Sequence, residues 1–313
     1  MPQPSNDQAL LRELEPVAAQ LLDRHLSMAR DWLPHEYVPW SQGRDFDTEP
    51  WTPDQPKLTG VAQIAFEVNL LTEDNLPSYH REILGGFARD GAWSTWAHRW
   101  TAEEGRHSIV LRDYLLVTRN IDPTALEQGR MDTMQAGYSV GDKRPLEVMA
   151  YVAFQELATR ISHRNTGRYS DDPVADRIMA RISQDENLHM IFYRDALSGA
   201  LELDPSAAVR AIAAEVARFE MPGTVIPGYL RKAAQIARAG IYNLRVHHDE
   251  VIWPLLRHWR VFELEHLDAA AEQARQRLRA FLTELDRQAS RFEARQEERR
   301  AAEGSGLAVT RLG

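Results

Sequence analysis

The chain has 313 residues and no cysteine, and 46 acidic against 37 basic side chains leave it at a formal charge of −9. Zero cysteine excludes disulfide frameworks, thiolate zinc sites, iron–sulfur clusters and thiol nucleophiles, so any metal must be held by carboxylates and imidazoles. The negative balance argues against non-specific binding to nucleic acid, and a 43% hydrophobic content suits a globular chain with a sizeable core.

The start, MPQPSNDQALLRELEP, has neither the basic-then-apolar order of a signal peptide nor the look of a transit peptide. No run reaches the ~18 apolar residues of a membrane helix. The expected address is the cytoplasm. Leu10, Leu11, Leu14, Val17, Leu21 and Leu22 predict a helix over 7–29, which Pro16 bends or restarts. Residues 30–56 hold five prolines and three tryptophans (Trp32, Trp40, Trp51), which predicts an extended connection whose rings pack on something.

From 57 onward the pattern is helical throughout: 57–74, 76–89, 92–119, 123–137, 145–169, 173–201, 205–219, 225–239, 241–260 and 262–301. Breaks fall at Pro77, Gly91, Pro123, Gly141, Pro173, Pro205 and Pro222-Gly223. Period-two alternation is missing, so the expected class is all-α, one bundle domain over 1–302 with a mobile tail at 303–313.

Glu-x-x-His on a helix sets a carboxylate and an imidazole one turn apart on one face, able to share a metal. It occurs as Glu104/His107, Glu186/His189 and Glu263/His266. The first two have company. Glu73 lies 31 positions before Glu104 and Glu156 lies 30 before Glu186, and both motifs follow an acid, Glu103 or Asp185. The offsets agree, 156 − 73 = 83 against 186 − 104 = 82 and 189 − 107 = 82, so the chain contains two similar halves, about 57–137 and 145–220, followed by C-terminal helices. Glu263/His266 has Lys232 and Ala233 where a partner acid would stand, and reads as a solvated face of a charged helix.

In helical bundles, one Glu from each of two helices and Glu-x-x-His from each of the other two surround a pair of metals. Four buried carboxylates demand cations, and oxygen with imidazole donors suits iron or manganese. A metal-bound histidine usually donates its second N–H to a carboxylate, so Glu103 and Asp185 are candidates to hold the histidine of the opposite half. The plainer reading of the same residues is surface helices with charge pairs.

At these residues the sequence resembles the soluble acyl-acyl carrier protein (ACP) desaturases, a di-iron family that includes the plant stearoyl-ACP enzyme. The resemblance rests on T-E-D-N-L-P-S-Y at 72–79, W-T-A-E-E-G-R-H at 100–107, F-Q-E-L-A-T-R-I-S-H-R-N-T at 154–166 and D-E-N-L-H at 185–189. It implies a ferritin-like four-helix di-iron bundle extended by additional helices, with two irons per chain. Glu73 and His107 would be terminal ligands of one iron, Glu156 and His189 of the other, with Glu104 and Glu186 bridging. Thr159 would place a hydroxyl beside the irons, and Trp40 would lie on an electron route through Asp185 and His107. Gly105 and Leu188 depart from the family's asparagine and basic residue, but neither is a ligand position.

The implied activity is oxygen-dependent insertion of a double bond into an acyl chain on ACP, with electrons from a ferredoxin-type donor and a homodimeric assembly. An acidic carrier needs local positive charge on a chain at −9, and Arg231-Lys232 with Arg238, or Arg164 with Arg168, are candidate patches. Two other functions use the same ligands: oxygenation of a small molecule, as a hydroxylase or N-oxygenase, and non-catalytic ferritin-like metal binding.

Overall fold

The structure is a computed structural model that describes residues 6–87 and 90–310, with side chains over 8–87 and 90–302. It is helical, and no strand occurs among the described residues. The N-terminal region gives α1 (Asn6–Glu13) and α2 (Glu15–Met28), then α3 (Val61–Asp74), α4 (Leu76–Gly86), α5 (Gly91–Val117) and α6 (Pro123–Ala136). There follow α7 (Pro145–Tyr169), α8 (Pro173–Leu203), α9 (Pro205–Arg218) and α10 (Tyr229–Arg238). Near the C-terminus, α11 (Leu244–Val246) and α12 (Trp253–His258) flank a π-helical stretch, His247–Ile252, before α13 (Ala269–Thr310).

Three helices begin alike. Asp122, Asp172 and Asp204 each precede a proline, and each carboxylate accepts N–H groups of the first turn: Thr124 and Ala125 in α6, Val174 and Ala175 in α8, Ala207 in α9. Proline at the first helical position gives up a donor that would lack a partner and presets a helical φ.

The packing closes a ring. α3 lies on α5, α5 on α8, α8 on α7 and α7 on α3, which makes a four-helix bundle of one pair of helices from each half. A three-residue link, 170–172, forces α7 and α8 to run antiparallel. Gly167 brings them close: a Cβ there would sit 2.8 Å from Met179 Cβ. Around this ring, α2 covers α5 and α8, α4 covers α5 and α7, α6 and α10 lie on α3, α9 lies on α7 and α8, and α13 on α9.

Residues 30–56 form 3-10 turns at Pro34–Glu36 and Trp40–Gln42 and are tied to the bundle by Arg119. This arginine is 1% exposed, donates to Gln55 Oε1 (2.7 Å) and the Glu49 carbonyl (2.5 Å), and lies 4.3 Å over the Phe46 ring. Two expectations need correction at the C-terminus. The helix expected over 262–301 starts at Ala269, where Asp268 accepts from Ala271 N–H, and its backbone continues to Thr310; 311–313 lie outside the described residues. Arg260 and His266 have φ of 50° and 60°, so Glu263 and His266 sit in turns rather than on one helix face. Both are exposed, as a solvated pair should be, with His266 bare in solvent.

Candidate metal centre

Each helix of the ring contributes to one buried cluster: α3 gives Glu73, α5 Glu104 and His107, α7 Glu156, and α8 Glu186 and His189. None of the six is more than 6% exposed. One set of ligand atoms, from Glu73, Glu104, His107 and Glu186, lies within 4.8 Å; a second, from Glu104, Glu156, Glu186 and His189, does too. Glu104 and Glu186 belong to both. His107 Nδ1 is 3.2 Å from Glu104, 3.4 Å from Glu186 and 3.6 Å from Glu73; His189 Nδ1 is 2.8 Å from Glu104 and 3.6 Å from Glu156.

These atoms converge as ion pairs, His189 Nδ1 with Glu104 the shortest at 2.8 Å, without the directed geometry of hydrogen bonds. His107 Nδ1, His189 Nδ1, Glu104 Oε1 and Glu156 Oε2 are enclosed and form no hydrogen bond. Orphaned donor atoms that converge inside a protein are costly unless a cation joins them. In the metal-free protein the charge is balanced by protons. Burial and the neighbouring Glu186 push Glu104 up, and the same two causes push Glu156 well above the carboxylate range. Burial disfavours the charged imidazole, but Glu104 and Asp185 outweigh it for His107, and Glu103 and Glu104 for His189, so both are held well above the usual range. Two divalent cations would replace those protons with four positive charges against four carboxylates. The residues fit a metal pair.

The outer nitrogens reach across the repeat. His189 Nε2 is 2.9 Å from Glu103, and His107 Nε2 is 3.4 Å from Asp185. Glu103 also receives His25 Nε2 (2.9 Å) and the guanidinium of Arg99 (2.6 Å); burial opposes ionisation, but the bonds and charges of His189 and His25 hold its carboxyl well below the usual range. Asp185 receives Arg181 and Trp32 Nε1 (2.7 Å); burial opposes ionisation, but the bonds and charge of His107 with the Trp32 N–H bring it down to about 2.

Thr159 lies at the cluster, its Oγ 3.1 Å from Glu186 Oε2 and equally near the carbonyls of Gln155 and Glu156. Trp40 does not. It is 51% exposed, donates to the His35 carbonyl, and has no bond or ring contact with Asp185 or His107 among the described residues. Trp32 has the position expected of Trp40: buried, bonded to Asp185 and stacked on His107 at 6.4 Å and 14°. His163 was not singled out from sequence, yet its Nε2 is 2.9 Å from Glu73 and 3.6 Å from Glu186. It follows Glu156 by seven positions, two helical turns along the same face. Glu73 and the charged Glu186 overcome the burial penalty and hold His163 at about 9. Arg99 and Arg181 were also missed, although each precedes its acid by four residues and 181 − 99 = 82 repeats the motif offset.

A narrow cavity opens beside Glu73 and Glu104, lined by Ile83, Val148, Val152 and Trp100 with Tyr79, Tyr138 and Tyr151. On the other side of the bundle an open groove of about 810 Å³ carries Arg30, Arg160, Arg164, Arg168 and Arg181. Arg164 pairs with Asp176 and Arg181 with Asp185; among the described residues Arg30, Arg160 and Arg168 make no ion pair. Lys232, in the other candidate basic patch, is paired with Glu67.

A family model described as fatty acid desaturase matches residues 6–306. The chain is 48% identical to DesA1 of Mycobacterium tuberculosis, which carries an acyl-acyl-carrier-protein desaturase name, over 98% of this chain and 95% of that one. It is 30% identical to acyl-acyl-carrier-protein desaturase 7 of Oryza sativa, over 93% of this chain and 77% of the relative. The solved structure of DesA2 from Mycobacterium tuberculosis is similar with a TM-score of 0.69 and 30% identity, covering 85% of this chain and 99% of that one.

Proposed function

The chain belongs to the fatty acid desaturase family, in its acyl-ACP branch, and we propose that it inserts a double bond into an ACP-borne acyl chain at a di-iron centre. The observation that carries this reading is the pair of overlapping four-residue sets that share Glu104 and Glu186. Glu73 and His107 would hold one iron and Glu156 and His189 the other, with Glu104 and Glu186, common to both sets, available to each. When bound, the irons supply O2 reduction and the power to take hydrogen from an unactivated methylene.

The protein's own residues set the conditions. Glu103 and Asp185 fix the tautomer and tilt of the two histidines, each held in turn by an arginine one turn back. Thr159 holds a proton beside Glu186 Oε2, where protons are consumed. Trp32, rather than Trp40, passes electrons through Asp185 to His107. The arginine groove, whose lining includes the Arg181 that grips Asp185, suits an acidic donor of the ferredoxin type, and its three unpaired arginines steer the encounter.

The acyl chain belongs in the cavity beside Glu73 and Glu104. Its free space is about 40 Å³, room for a few water molecules and too little for a run of methylenes. Entry therefore requires side chains to move. A cytoplasmic homodimer completes the reading, on the family resemblance; no helix among the described residues is long and apolar enough to cross a membrane.

The test supplies iron-loaded protein with reduced ferredoxin, isotopically labelled O2 and a mixture of acyl-ACPs, then locates modifications by mass spectrometry. A double bond with the label in water is expected. Label retained in a hydroxylated product, or O2 consumed with every acyl chain unchanged, would refute the reading.

A further inference from the structure

The face of α5 that carries Glu104 and His107 also carries Trp93, Trp96 and Trp100 in the turns before them. Trp100 donates its N–H to Glu156 (3.0 Å). Trp96 lies 6.0 Å from His189, ring centre to ring centre, and stacks on Phe192 at 3.7 Å and 8°, with Tyr193 edge-on at 5.8 Å. Trp93 meets Phe192 at 6.1 Å and lines an open cleft of about 830 Å³ beside α1 and α2. A set of rings, with Phe192 between the two indoles, thus leads from the metal centre to the floor of this cleft, where Trp93 is 1% exposed.

Packing does not account for the choice of ring. Trp96 is fully buried and its indole N–H faces the Tyr193 hydroxyl without a well-formed hydrogen bond, a polar group that phenylalanine would not have to bury. A buried group so poorly satisfied in a native fold calls for an explanation, and a redox or catalytic role is one. Indole can lose an electron without shedding a proton at once. Tyr193 cannot do so easily, because its enclosed hydroxyl has no acceptor.

We propose that Trp96 and Trp93 form a second electron path, which supplies the metal centre from the surface cleft when no acyl chain is in place. It rests on the oxygen-dependent reading above. In desaturation two C–H bonds give two electrons and two protons. Without an acyl chain, Trp96 gives one electron and becomes a radical cation, Trp93 refills Trp96, and a soluble one-electron reductant of the thiol or enediol class refills Trp93. Two such passes, two electrons from the ordinary donor and four protons from solvent reduce O2 to two waters. The path protects the ligands from oxidation during idle turnover.

The experiment uses full-length, iron-loaded protein with reduced ferredoxin and O2 but no acyl-ACP. Rapid-freeze electron paramagnetic resonance looks for an indole radical, and peptide mass spectrometry locates oxidised residues per O2 consumed. Wild type is expected to show the radical, with oxidation concentrated at Trp93 and little at His189. Trp96→Phe, which keeps a stacking ring, should lose the radical and show a several-fold rise in oxidation of the His189 and Trp100 peptides. Trp93→Phe should move the oxidised site to Trp96. O2 consumption with no indole radical in wild type, or with the same oxidation pattern in Trp96→Phe, would overturn the path alone. Failure of wild type to consume O2 without acyl-ACP, when it does so with acyl-ACP, would overturn the path alone; failure in both cases would overturn the oxygen-dependent reading and the path with it.

Discussion

Replacing Asp185 with asparagine removes one negative charge and almost no volume, so it isolates what the carboxylate does. One oxygen receives Arg181; the other receives Trp32, at 2.7 Å, Arg106, at 3.3 Å, and His107, at 3.4 Å. Every neighbour is a donor, and asparagine offers a single acceptor oxygen. The carbonyl serves the Trp32 and His107 side best, which turns the amide N–H2 toward the Arg181 guanidinium, a side chain only 9% exposed. Breaking a buried pair by removing one partner costs about 3–5 kcal/mol, and the lower end applies because Arg181 keeps its bond to Gln184. His107 keeps an acceptor, but a neutral one, and metal affinity should fall by about 10–100-fold, as for other outer partners of metal-bound histidines. Competition against a chelator reads the affinity and urea denaturation reads the stability. An Asp185→Asn protein that folds with unchanged stability and holds metal within about twofold of wild type would refute the argument.

Thr159→Val should leave metal content intact yet lower turnover at least about tenfold and release more partly reduced oxygen, while Thr159→Ser stays near wild type; equal rates for all three would remove the hydroxyl from the mechanism. Gly105→Ala places a Cβ in ordinary contact, 3.9 Å from Leu76, and should stabilise α5 by about 0.5–1 kcal/mol. Gly167→Ala drives a Cβ to 2.8 Å from Met179 Cβ and 3.2 Å from Asp176 Cα, and should destabilise by about 1–3 kcal/mol in thermal unfolding. Metal affinity should rise with pH, because His107 and His189 are held protonated above the usual imidazole range in the metal-free protein and must give up those protons to bind. Affinity that is flat between about pH 6 and 8 would contradict that balance.

The helices and the six clustered residues were legible because both leave a periodic trace. Apolar spacing and Asp-Pro starts mark the elements, and an offset of 82 repeated across 104/186 and 107/189 marks the duplication. The resemblance points to Trp40, but Trp40 and Trp32 both lie in a stretch of 3-10 turns and extended chain, where no periodicity tells which ring faces inward. His25 reaches Glu103 across 78 residues from a helix outside the repeat, a contact that no local pattern announces. His163, Arg99 and Arg181 did leave signals, by helical phase and by the same offset, but such signals gain meaning only once the metal-facing side of each helix is known. At the other end of the chain, charge alone could not distinguish the turns around Arg260 and His266 from a helix, since both backbones expose the same side chains.

Counting metal is the most direct test of the claim that a duplicated motif builds one centre with shared ligands. Anaerobic iron titration of wild type and Glu104→Ala, followed by metal analysis after gel filtration, should give about two irons per chain in the first and loss of both in the second, since one carboxylate serves both positions. Two tightly held irons in Glu104→Ala, or a single iron in wild type, would contradict the account.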